Sequence, residues 1–257
     1  MLFFFIIVLM LGFFAQYMYG TLGMGYGVSS SSFLVAAGLS PVMVSASVHT
    51  SEVFATLVSG ISHLKFGNVD RKITLPLTIT GIIGGVFGAY FLSSLPSSIV
   101  SFLVGIVLLA LGIRIFLKFF GKKHVMLTEG EFSQRFLLFL GFVGGMVDAI
   151  GGGGWGAICT STLISVNKTA PKNVIGSVTF ARFFTTLAIV FTFGLVLGFG
   201  SFLWNIIIPL IIGGVIAGPV AAYTCKKIPS HILGPLVGIT LIILNTRTIM
   251  VSLPKIF

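Results

Sequence analysis

Uninterrupted apolar runs constrain this chain more than any other feature. LPLTITGIIGGVFGAYFL (75–92) and SFLWNIIIPLIIGGVIAGPVAAY (201–223) are long enough to cross a hydrocarbon core of roughly 30 Å as helices. Only 8% of the 257 residues are charged, against about 25% in soluble domains. The chain therefore reads as an all-α polytopic membrane protein. Its 33 glycines fit that class. The net charge of +10 could suggest a nucleic-acid partner, but basic loops facing the cytoplasm account for it, and no nucleic acid is expected. MLFFFIIVLMLGFFAQ lacks a basic start and a small-residue cleavage site, so it reads as a retained first membrane segment. Cys159 and Cys225 have no metal-like spacing and read as packing residues, with no disulfide.

The chain carries a faint internal duplication. Gly25-Tyr26-Gly27 matches Gly154-Trp155-Gly156 at an offset of 129, and Pro41 and Ser47-Val48 match Pro171 and Ser177-Val178 at 130. Pro76-Leu77, Gly81, Gly85, Ala89-Tyr90 and Arg114 match Pro209-Leu210, Gly214, Gly218, Ala222-Tyr223 and Arg247 at 133. Each half reads as five pieces. They lie near 2–22, 27–39, 43–63, 75–93 and 97–117, then near 133–150, 156–166, 174–195, 203–225 and 231–249. The second piece of each half is too short to span, so each half should hold a broken or re-entrant glycine-rich helix plus three full transmembrane helices. The expected divisions are a first repeat at 1–117, a cytoplasmic linker at 118–132 and a second repeat at 133–257.

Charge placement orients the halves. Lys65, Arg71 and Lys72 lie in loop 64–74, and Lys118, Lys122, Lys123 and Arg135 in 118–135. Lys168 and Lys172 lie in 167–173, and Lys226 and Lys227 in 226–230. Loops 40–42, 94–96 and 196–202 have neither Lys nor Arg. The positive-inside rule puts the basic loops in the cytoplasm. Loop 64–74 then lies inside and its counterpart 196–202 outside, so the repeats are inverted and both termini face outward. Inverted halves with glycine-broken segments point to a transporter whose site lies near the midplane.

Charges within the apolar segments mark candidate sites. Glu52 and Arg182 occupy the same repeat position. Ser45, His49, Glu52, Thr56, Ser59 and His63 form one polar stripe on a helix, and Thr179, Arg182 and Thr186 a shorter counterpart. Arg182 is the candidate anion-binding residue because its planar fork suits oxyanions. Glu52, His49 and Asp148 are candidates for moving a coupling ion, the proton. The competing structural reading makes Glu52–Arg182 an ion pair joining the halves. Asp148 could cap a helix, carry a proton or balance Arg182, and its repeat partner is Tyr19.

The glycine clusters Gly20, Gly23, Gly25, Gly27 and Gly151–Gly154, Gly156 precede Ser/Thr-rich segments. A helix starting there would offer free N–H groups to an anion. Gly25, Gly27, Gly154 and Gly156 would bare that backbone, Ser29, Ser30, Thr160 and Ser161 would add hydroxyl donors, and Tyr26 and Trp155 would wall the pocket. Glycine serving close helix packing is the alternative.

GTLGMGYGVSSSSFLVAAGLSP (20–41) and DAIGGGGWGAICTSTLISVNKTAP (148–171) resemble the sulfite exporter TauE/SafE family, also called the toluene-sulfonate uptake permease family, over nearly the whole chain. The resemblance implies a plasma (inner) membrane carrier for sulfur-containing anions such as sulfite, sulfonates or sulfoacetate. Without a nucleotide-binding motif the carrier would be secondary, working by alternating access, and no cofactor or metal is expected. An anion channel of the same architecture is the alternative. An intramembrane hydrolase is disfavoured: Gly27-Val28-Ser29-Ser30 is no GxSG motif and no HExxH exists.

Overall fold

The computed structural model describes residues 2–22, 25–120, 130–166, 168–224 and 230–255. They form α1 (Leu2–Leu22), α2 (Tyr26–Ala36), α3 (Pro41–Lys65), α4 (Arg71–Ser94), α5 (Ser97–Phe120) and α6 (Gln134–Gly151). A π-turn (Gly156–Thr160) runs into α7 (Ser161–Val166), and α8 (Pro171–Leu197), α9 (Trp204–Thr224) and α10 (Ser230–Ser252) follow. No strand occurs among the described residues. Most of 118–132 and Cys225–Pro229, including Lys226 and Lys227, lie outside the described residues, so the basic character of those two segments remains a statement about sequence.

Local chemistry sets these limits. Pro41 and Pro171 occupy the first turns of α3 and α8, where a missing N–H costs nothing. Asp70 caps α4 by accepting from the Lys72 N–H at 2.8 Å. Gly152 ends α6 in the left-handed conformation, φ 65°. Two short helical segments, α2 and 156–166, lie where the sequence places short pieces, near 27–39 and 156–166. Among the described residues six helices, α1, α3, α4, α5, α6 and α8, are long and apolar enough to cross a membrane. α9 and α10, at 21 and 23 residues, are of similar length.

Polarity is inverted relative to a soluble protein. Leu195, Val215 and Phe87 are 83%, 67% and 60% exposed, whereas Glu52, Arg182 and Asp148 are at most 3% exposed. An apolar exterior around a polar centre is stable in lipid and not in water. The molecule is a multi-pass membrane protein.

The long helices pair between the stretch before residue 121 and the stretch after residue 133. α4 packs on α6, α9 on α1, α3 on α8 and α5 on α10. Small residues allow the closest approaches. A Cβ on Gly88 of α4 would lie 2.7 Å from the Met146 carbonyl oxygen of α6, and one on Gly12 of α1 would lie 2.7 Å from that of Leu210 on α9. Both obstacles are backbone, so no rotamer change relieves them. Gly88→Val should cost ~2 kcal/mol or more, read as a lower melting temperature in detergent. An unchanged melting temperature would contradict this packing.

At one end of the molecule Lys72 Nζ meets Glu131 Oε1 at 2.5 Å, and Lys168 Nζ donates to the Glu131 carbonyl at 2.9 Å. The Lys72 ammonium holds the exposed Glu131 carboxyl below the usual carboxylate range. These contacts bring basic loops 64–74 and 167–173 to the same end, beside the start of α6.

Candidate functional site

The glycine breaks meet in space. Gly25 (φ 107°) leads into α2. Gly152, Gly153 and Gly154 (φ 65°, 146° and 155°) carry the chain from α6 into the π-turn, a path other residues follow only with strain. A Cβ on Gly27 would come within 2.6 Å of Gly153 Cα and 2.7 Å of the Gly152 carbonyl oxygen. Only glycine lets the two breaks cross this closely. Ser31 Oγ donates to the Gly152 carbonyl at 2.7 Å and fastens the crossing.

Four titratable side chains converge beside it. Arg182 Nη2 donates to both oxygens of Glu52, at 2.8 Å each, and lies 3.6 Å from Asp148 Oδ1. Asp148 Oδ2 lies 3.3 Å from His49 Nε2. The side chains of this network are 0–4% exposed. The Glu52 carboxylate also lies at the start of α2, with Oε1 3.0 Å from the Cβ position of Gly27. Asp148 Oδ1 accepts the Trp155 N–H at 2.8 Å, and its carbonyl accepts the Gly153 N–H at 2.9 Å. Each short segment thus begins against a carboxylate, and Arg182 lies between the two.

The network holds a proton whose place can be derived. His49 Nδ1 is 2.8 Å from the Ser45 carbonyl oxygen, which can only accept, so Nδ1 carries hydrogen. Ser45 Oγ donates to the Ala149 carbonyl at 2.6 Å and so offers Nδ1 an acceptor as well. With Nδ1 protonated, Nε2 and the Asp148 carboxylate would face each other as bare lone pairs unless a further proton lies between them. That proton makes the network neutral: two carboxylates, Arg182 and one positive charge shared by His49 and Asp148. Neutrality is what a membrane interior demands.

Five buried hydroxyls, Ser29, Ser30, Ser47, Thr78 and Thr186, and Arg182 Nε have no hydrogen-bond partner among the described residues. Buried donors without acceptors are costly, and an incoming oxyanion would supply the acceptors. Tyr19, the repeat partner of Asp148, has its ring centroid 5.8 Å from the Arg182 guanidinium carbon.

The structure therefore brings together Arg182, Glu52, His49 and Asp148, and sets Tyr26, Gly25 and Gly27 beside them at the start of α2. The Tyr26 hydroxyl lies 3.1 Å from Ser51 Oγ. Asp148 takes two of the three positions that the sequence left open, capping the start of the second short segment and lying beside Arg182, and it also meets His49, a contact the sequence did not suggest. Other candidates sit differently from expectation. The Trp155 indole is core, packed on Gly81 and Gly144 with Nε1 donating to the Val178 carbonyl at 3.0 Å; its backbone N–H is what reaches Asp148. Gly154 faces Leu111 and Val147, and Gly156 opens the π-turn. Ser29, Ser30, Thr160 and Ser161 are buried about a turn beyond the helix starts. Cys159 is a buried free thiol.

Sequence reasoning missed Ser31 and Asn245, and it placed Ser45 on the polar stripe without its contacts to His49 and the Ala149 carbonyl. Asn245 Nδ2 donates to Ser32 Oγ at 2.9 Å, and an amide inside an apolar helix was a readable signal. Arg114 and Arg247, which share a repeat position, do related work: Arg114 donates to Thr162 on α7, and Arg247 donates to the Ala36 carbonyl ending α2 at 2.6 Å. α5 thus holds α7, and α10 holds α2.

A family model described as sulfite exporter TauE/SafE matches residues 8–248. The chain is 38% identical over 247 residues to the probable membrane transporter protein YtnM of Bacillus subtilis (strain 168), covering 93% of this chain and 81% of that one. No solved structure matches the chain.

Proposed function

This chain belongs to the sulfite exporter TauE/SafE family of membrane transporters, and from that premise we propose that it is a secondary carrier for a small sulfur-containing anion of the sulfite, sulfonate or sulfoacetate type. The observation that carries the proposal is Arg182: a buried guanidinium held by the protein's own carboxylates, with a donor unpartnered, where two glycine breaks cross. Glu52 and Asp148 occupy the places an anion would take. A substrate oxyanion displaces Glu52 from Arg182, and the unpartnered hydroxyls of Ser30 and Thr186 complete its shell.

Charge balance gives the coupling. The resting network is neutral, so a monovalent anion would leave it at −1 unless Glu52 takes a proton. One proton accompanies each such anion, and the His49–Asp148 proton is the relay. A closed, self-neutralised centre suits a carrier that alternates access better than a channel, which needs an open path.

Inverted repeats are part of this reading. The exchanged pairings α4–α6 and α9–α1, together with the matched roles of Arg114 and Arg247, support them. The two short segments are then re-entrant, with their starts at the midplane, and both termini face outward from the plasma (inner) membrane. Labelling of single cysteines in 118–132 only from the cytoplasmic side is expected; labelling only from outside overturns the topology.

The function is tested by a proteoliposome uptake screen across sulfite, thiosulfate, sulfonates, sulfate and small carboxylates. Saturable uptake of a sulfur anion that responds to a pH gradient is expected. Flux that never saturates would favour the channel, and no flux of any sulfur anion would overturn the proposal.

A further inference from the structure

Two apolar grooves open sideways between helices, and they are the same groove twice. The first, about 570 Å³, lies between α1, α2 and α10, with Ile7, Leu11, Phe14, Phe33 and Leu241 in its walls. The second, about 460 Å³, lies between α5, α6 and the π-turn, with Val107, Leu111, Val147 and Ile158 in its walls. Under the repeat, α1 corresponds to α6, α2 to the segment 156–166 and α10 to α5. Each groove therefore flanks a short segment, between the first helix of its own half and the last helix of the other.

An exposed arginine stands at each rim. Arg114 lines the second groove and donates to Thr162. Arg247 donates to the Ala36 carbonyl beside Ala37, which lines the first. Exposed apolar side chains surround both openings, including Phe14 at 55% and Leu117 at 61%, so the grooves face hydrocarbon. Along α1 the first groove runs from Phe4 to Met18, roughly 21 Å at about 1.5 Å per residue, enough to follow an extended acyl chain across one leaflet. A guanidinium fork matches a phosphodiester.

We infer that each groove binds one anionic phospholipid of the surrounding bilayer, its acyl chain along the groove and its phosphodiester on Arg247 or Arg114. With the halves inverted, one site opens to each leaflet. Each lipid would press on the short segment that forms the site, and would bridge it to the opposite half through the arginine. The inference uses the repeat pairing but not the identity of the transported anion.

Native mass spectrometry of the full chain, titrated with phosphatidylglycerol or phosphatidylcholine in mild detergent, tests it. Two phosphatidylglycerol molecules should be retained, each roughly tenfold more tightly than phosphatidylcholine. Arg114→Gln and Arg247→Gln should each remove one, and the double variant both. Ala110→Trp and Ala37→Trp, which fill the grooves and keep the arginines, should do the same. Equal retention of the two lipids, or retention unchanged in all of these variants, overturns the inference. Displacement of the lipid by the transported anion in simple competition would also overturn it, since the grooves would then be a substrate path.

Discussion

Arg182→Gln abolishes anion uptake and lowers stability together, and a second substitution separates the two effects. Removing Arg182 strands Glu52 and Asp148 in the protein interior. Breaking one side of a buried ion pair typically costs 3–5 kcal/mol, roughly, so the single variant should melt at a clearly lower temperature in detergent while still inserting. Glu52→Gln on that background removes one of the stranded charges and should restore much of the lost stability. It cannot restore the guanidinium that holds the substrate. The double variant is therefore expected to be more stable than Arg182→Gln and as inactive, with uptake down at least about a hundredfold, near 2.7 kcal/mol in transition-state terms. Wild-type uptake by the double variant would mean that Glu52 and Arg182 form a pair that only joins α3 to α8.

Asp148→Asn should leave the carrier able to exchange anions but unable to concentrate them. The asparagine carbonyl can still accept the Trp155 N–H, so the start of the second short segment keeps its cap. The negative charge that retains the proton on the 3.3 Å contact with His49 is gone. Uptake driven by an imposed pH gradient should fall at least about tenfold, while counterflow of labelled against unlabelled anion falls less than about threefold. His49→Gln should show the same split. Parallel loss of both activities would make the pair a structural brace. Full retention of gradient-driven uptake would remove His49 and Asp148 from the proton path and leave Glu52 alone on it.

The sequence shows most of the helix order because its punctuation is strong. Prolines open α3 and α8, glycines precede α2 and interrupt the chain between α6 and the π-turn, and the apolar runs between them have membrane length. The Glu52–Arg182 contact was legible for a particular reason. Residues at equivalent positions of two related halves can meet near the axis that relates them, and these two share an offset of 130.

The same reasoning could not find the His49–Asp148 contact. The repeat partner of Asp148 is Tyr19, so nothing in the duplication pairs an acid with His49. Nor could it see that the two glycine breaks touch, because an offset states equivalence and says nothing about distance. Trp155 shows the reverse error. An aromatic beside a glycine break suggests a pocket wall, yet Gly81 and Gly144 leave room for the indole in the core, and only its backbone N–H serves the site. The Arg114 and Arg247 contacts were hidden for a related reason: they cross from one half to the other, where sequence proximity carries no information.

The central claim is that a substrate anion displaces Glu52 from Arg182 and that Glu52 then takes a proton. Proton uptake on binding tests it most directly. The purified protein, near pH 7 in weakly buffered detergent solution, would be titrated with the best-binding sulfonate of the screen, an anion that holds no proton of its own at that pH. The account predicts close to one proton taken up per anion bound, and none in Glu52→Gln. Saturable binding with no proton uptake by the wild-type protein would contradict it.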